Sequence, residues 1–178
     1  LISSHKRREQ MVNVVVKEQN LISAANEGVD AFIEVYVDAI KNAIGGELTA
    51  TNMAELNASQ ITLLAYHTLR EEVMDGGFIQ LIHNGYGGFI FLNPFSAMMR
   101  RWGLGDLCSL INKCHKSYKK HRDVLEAECS DEEFMALFEK YPEFDDFDDK
   151  FVEHEEYWTA KMAEYVDEHI AEFAVVES

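Results

Sequence analysis

The chain has 178 residues, 47% hydrophobic and 11% aromatic, enough for one domain with a core of its own. Its net charge of −16 and pI of about 4.7 argue against direct binding to nucleic acid or to an anionic membrane surface. No apolar run approaches the ~20 residues of a membrane span. Cys108, Cys114 and Cys129 lack paired spacing, which fits reduced thiols in a cytoplasmic protein.

The start, LISSHKRREQMVNVVV, has a basic stretch and only a short apolar run, so no secretory signal is read there. Residues 1–19 are expected to form an extension and 20–178 the domain. VNVVVK (12–17) is the one strand candidate. Alone, it can only be an edge in a dimer or a loop packed on the core. Beyond it the periodicity is helical. Ile22, Ala25, Val29, Phe32, Ile33, Tyr36, Val37, Ile40 and Ile44 recur at three- and four-residue steps, predicting one helix stopped by Gly45–Gly46. Ser59 is expected to cap the next, whose stripe is Ile61, Leu64, Ala65, Thr68, Leu69 and Val73. A short helix, FIQLIHN, follows Gly76–Gly77. Asn93–Pro94 can open another and Asp106 a long one. Ser130 with Glu133 forms a capping box before FMALFEKY. Pro142 interrupts the chain, and a helix from about 146 to 173 ends it. The predicted fold is all-α, a single compact multi-helix domain with at most one short N-terminal strand.

Charge is concentrated near the C-terminus. Residues 123–178 hold 20 acids and 3 bases, essentially the whole imbalance, and also 10 of the 20 aromatic residues. Disordered acidic tails are poor in aromatics because they bury nothing, so this segment is read as folded.

Motifs for chemistry are weak. DDFDDKFVEHEE has the acids of a calcium loop but no glycine at its sixth position, and phenylalanines fall where ligands should be. No histidine has a glutamate three residues before it, as a di-iron bundle needs. His154–Glu155 resembles part of a zinc motif, but position 158 is Trp158. GYGGFIF and GLGD lack the features of phosphate loops. The basic cluster NKCHKSYKKHR reads as a solvated helix face, and His169 as a satisfied core histidine. No catalytic residue, metal or cofactor is expected.

EEVMDGGFIQLIHNGYG (71–87) resembles the signature of a bacterial domain-of-unknown-function family whose characterised members are DNA mimic proteins. An acidic helix end, a glycine pair, Phe78-x-Gln80 and Asn84 before a glycine-rich loop carry the likeness, which extends over about 20–175. Asp75 stands where asparagine is more usual, and Leu81–Ile82 where an aromatic pair is. The resemblance implies an α-helical homodimer whose carboxylates imitate DNA phosphates and occupy a basic DNA-binding protein or repressor. It supplies no catalytic residues. Gly76, Gly77, Phe78, Gln80 and Asn84 are read as architectural.

On the last helix Phe151, Trp158, Met162, Tyr165, Val166, His169, Ile170 and Phe173 are expected to face inward. Asp145, Asp146, Asp148, Asp149, Glu153, Glu156, Glu164 and Asp167 are the candidate partner-binding residues. Residues 145–172 hold 11 acids and 2 lysines over ~42 Å. That is one net charge per ~4.7 Å, against one per ~1.7 Å for duplex DNA and ~3.4 Å for one strand. DNA mimicry would therefore need a second acidic segment, DVLEAECSDEEF, or a second subunit. The competing readings are an acidic interaction or accessory domain without mimicry, and an uncharacterised enzyme.

Overall fold

Helix dominates the computed structural model, which describes residues 11–178, and the all-α expectation holds. Strand β1 (Val15–Lys17) leads into α1 (Glu18–Glu27) and α2 (Val29–Ala43). A 3-10 turn at Met53–Glu55 precedes α3 (Ala58–His83), α4 (Gly87–Phe91), α5 (Phe95–Arg101) and α6 (Gly105–Leu125). Helices α7 (Asp131–Lys140), α8 (Glu143–Glu168) and α9 (Ile170–Phe173) follow, and β2 (Val175–Glu177) ends the order. Residues 1–10 of the expected extension lie outside the described residues.

Four local expectations are corrected. The strand is not alone: β1 pairs in parallel with β2, Val15 opposite Val175 and Lys17 opposite Glu177. Such a partner, some 160 residues away, has no signature near β1. The single helix read across 22–44 is two, because Gly28 sits at φ 134°, ψ −179°, a region open essentially to glycine alone. Ile22 and Val29 are consequently exposed rather than inward. Asn57, not Ser59, opens α3: its Oδ1 accepts from the Gln60 N–H at 2.8 Å, and its own N–H donates to Gln60 Oε1 at 3.0 Å. Finally, the last long helix stops at Glu168, with His169 at φ −131° before α9. The Ser130–Glu133 capping box is present as read.

By their contacts the described residues fall into two groups. One takes the chain up to Leu64 together with Thr159–Ser178. Its interior holds Ile33, Tyr36, Val37, Ile40, Leu63, Met162, Val166 and Phe173, all buried, with the Tyr36 ring edge-on to Phe173 at 6.4 Å. Ser59 Oγ, within α3, donates to Glu172 Oε1 at 2.7 Å, and Gln60 Nε2 donates to the Phe173 carbonyl at 3.0 Å. These bonds fix the α9–β2 turn and so aim β2 at β1.

The other group is Ala65–Trp158, with Leu69, Phe78, Ile79, Leu107, Ile111, Tyr118, Phe144, Phe151 and Trp158 in its interior. Each fully buried ring of this kind stabilises by about 1.5–3 kcal/mol relative to exposure. The lysines of the basic cluster, Lys113, Lys116, Lys119 and Lys120, are exposed on α6. All three cysteines are free thiols.

Candidate functional site

Helix α8 begins just past Pro142 with Glu143, Asp145 and Asp146 in its first turn, where the helix dipole favours negative charge. Its start is pinned to α6: Ser117 Oγ donates to Glu143 at 2.7 Å and His121 Nε2 lies 2.8 Å from the same carboxylate. The Ser117 hydrogen bond holds the Glu143 carboxyl below its ordinary range.

Phe144, Phe151 and Trp158 recur every seventh residue on the buried side of α8, and Met162 and Val166 continue the stripe. In the Ala65–Trp158 group, Asp145, Asp146, Asp149, Glu153 and Glu156 are exposed. In the other group Glu164 and Asp167 are exposed. Of the eight candidates only Asp148 turns away from solvent. With Lys150 included, residues 145–156 present a net of four exposed charges over ~18 Å, one per ~4.5 Å. That is still sparser than a single strand of DNA at ~3.4 Å.

Asp148 belongs instead to the glycine corner. Gly77, inside α3, adopts φ 81° and ψ −179°, which kinks the helix and frees the N–H groups that follow. The Phe78 N–H donates to Asp148 Oδ1 at 2.7 Å, and a Cβ on Gly77 would collide with that carboxylate. The Phe78 ring, fully buried, lies edge-on to Phe151 at 6.3 Å. Gln80 Nε2 donates to Glu72 at 3.0 Å and Asp75 at 2.9 Å, and Asn84 Nδ2 donates to Glu72 at 2.9 Å. A Cβ on Gly76 would run into the Gln80 side chain. Gly77 and Phe78 thus grip α8, while Gly76, Gln80 and Asn84 brace the corner from α3 and the residue that follows it.

A second inward acid, Glu155, is buried and accepts from Arg70 Nε at 2.6 Å. Sequence reasoning missed both inward carboxylates, although the signal was present. Positions 144, 148, 151, 155, 158 and 162 alternate steps of four and three, so Asp148 and Glu155 sit on the apolar seam. An acid on such a seam calls for a matching donor.

Burial pushes the Asp148 carboxyl up to about 7, with Asp145 and Asp149 adding repulsion against the opposing pull of the Phe78 hydrogen bond. An unfolded aspartate releases its proton near pH ~4. The folded chain therefore binds the extra proton between about 4 and 7, and this group's contribution to stability falls as pH rises through that window. Asp148→Asn keeps an acceptor for Phe78 but cannot ionise. Its thermal unfolding midpoint, followed from pH 4 to pH 8, is expected to lack that part of the wild-type decline; parallel curves would contradict the assignment.

His169, half-buried, has its Nδ1 2.8 Å from the Tyr165 carbonyl and stacks on the Tyr165 ring. Among the described residues, no three His, Cys, Asp or Glu side chains are grouped to hold a metal ion, and no helix is long and apolar enough to cross a membrane.

The family model described as DMP19-like protein matches residues 54–169. The chain belongs to this family. The DMP19-like segment takes in the whole of α3, the glycine corner, and α8 to its end. It leaves out β1, α1 and α2. A curated relative, the DNA mimic protein DMP19 of Neisseria meningitidis serogroup B, is 32% identical over 120 residues, covering 67% of this chain and 73% of the relative. For this DMP19-like chain, the matched segment therefore includes both the exposed acids of α8 and the corner that holds them.

Proposed function

We propose that this chain is a non-enzymatic acidic interaction protein that stands in for DNA on a basic DNA-binding protein, such as a transcriptional repressor, in the cytoplasm. The observation that carries the reading is the row Asp145, Asp146, Asp149, Glu153 and Glu156, exposed on a helix whose other side is clamped by rings and by the Phe78–Asp148 bond. Carboxylates on a fixed scaffold can match a phosphate-binding surface with little loss of conformational freedom. Similarity to a protein named as a DNA mimic supports the same reading. The test is exclusion: a partner captured from native lysate at low salt should bind either this protein or its own DNA site, never both. A ternary complex would leave an acidic interaction module without mimicry.

The charge spacing calls for more acids than one helix supplies, so the functional form is proposed to be a homodimer. Its interface avoids the α8 carboxylates, since burying unpaired carboxylates costs several kcal/mol each. Sedimentation at micromolar concentration should give twice the 20.4 kDa chain mass. A monomer there would remove this part of the proposal.

A further inference from the structure

A cleft of about 340 Å³ opens between α1–α2 and the C-terminal part of α8, wholly within the group formed by the chain up to Leu64 and Thr159–Ser178. Ala25, Val29, Phe32 and Ala160 give it apolar walls, and Glu164 and Asp167 stand at its side. It exists because of the Gly28 break: that turn leaves Ile22 and Val29 outside the core, with Val29 41% exposed. The volume is at the small end for a ligand site and suits one long side chain better than a cofactor. Among the described residues no cationic side chain lines it; Lys161 lies 3.8 Å from Glu164. A further polar group nearby has unmet bonding capacity. The fully buried Tyr36 hydroxyl has no hydrogen-bond partner among the described residues, and the Asp167 charge reaches it, adding to the burial that pushes the phenol up to about 12.

We propose that this cleft receives an arginine side chain of the basic partner, which rests on the DNA-mimic reading given above. Apolar walls under a negative potential are what an arginine meets when it enters a narrow DNA minor groove. The methylene stem would lie on Val29 and the alanines, and the planar guanidinium would face Phe32 and fork toward Glu164 and Asp167. A lysine offers the charge without the plane or the fork, so the cleft selects arginine over lysine. The α8 carboxylates then supply sequence-tolerant attraction, and the cleft supplies discrimination.

The test uses the full chain and two synthetic basic helical peptides of equal length and charge, one carrying arginines and one all-lysine, followed by fluorescence anisotropy. The arginine peptide is expected to bind at least tenfold more tightly. Ala160→Leu, an exposed position where added bulk fills the cleft without altering charge, should erase that preference while leaving lysine-peptide binding unchanged. Asp167→Asn should weaken the arginine peptide more than the lysine peptide, and Glu153→Gln should weaken both alike. Unchanged unfolding midpoints confirm that the variants are folded. Equal binding of the two peptides, or a preference that survives Ala160→Leu, overturns the cleft assignment. If the preference behaves as stated but a captured partner still binds its DNA, the mimic reading fails and the arginine cleft stands.

Discussion

Changing Asp149, Glu153 and Glu156 together to lysine is expected to abolish binding to a basic partner while leaving the fold intact. All three side chains are exposed and none faces the Phe144–Phe151–Trp158 seam, so the substitution removes no core contact. It moves the chain from a net −16 to −10 and puts like charge opposite a cationic surface. Like-charge juxtaposition at a contact costs several kcal/mol, so affinity should drop by at least ~100-fold, about 3 kcal/mol. Wild-type binding should itself weaken steeply as salt rises, because exposed charges are screened over a Debye length of about 10 Å at 0.1 M. The unfolding midpoint of the triple variant should stay equal or rise slightly as self-repulsion is relieved. Binding that survives the reversal, or that ignores salt, would remove the α8 acids from the interface.

The largest stability effect is expected at Gly77→Ala. The backbone there lies in a region essentially closed to residues with a Cβ, and the added methyl would meet the Asp148 carboxylate. Relieving the clash means either straightening the α3 kink or giving up the Phe78–Asp148 hydrogen bond. Either route also disturbs the packing of Phe78 against Phe151. Backbone strain of 1–3 kcal/mol and a lost, largely buried hydrogen bond worth about 1 kcal/mol together predict a loss of about 3 kcal/mol. For a domain of this size that lowers the melting midpoint by roughly 6–12 °C. Gly85→Ala is the useful contrast: it also has positive φ, at 89°, but nothing lies within 4 Å of its missing Cβ, so only the backbone term should appear. If the two variants melted alike, the Asp148 contact would carry no weight.

Much of this protein was legible from its sequence because its signals are local. Helical spacing of Phe151, Trp158, Met162 and Val166 specified the buried side of α8, and Ser130-x-x-Glu133 specified the start of α7. The glycine pair marked the kink in α3, and the acid surplus of residues 123–178 marked the exposed surface. The apolar spacing, the capping box and the glycine pair each depend on residues within a few turns of each other, and the acid surplus is a matter of composition alone. What only the tertiary structure decided depends on partners far apart in the chain. Asp148 reads as one more surface acid until the Phe78 N–H, seventy residues earlier, is placed beside it. Glu155 reads the same way until Arg70 is brought to it, and VNVVVK looks unpaired until β2 arrives from the other end of the chain. A carboxylate is inward or outward according to whether a donor meets it. Helical spacing gives the direction in which a side chain points, but the fold alone supplies the donor.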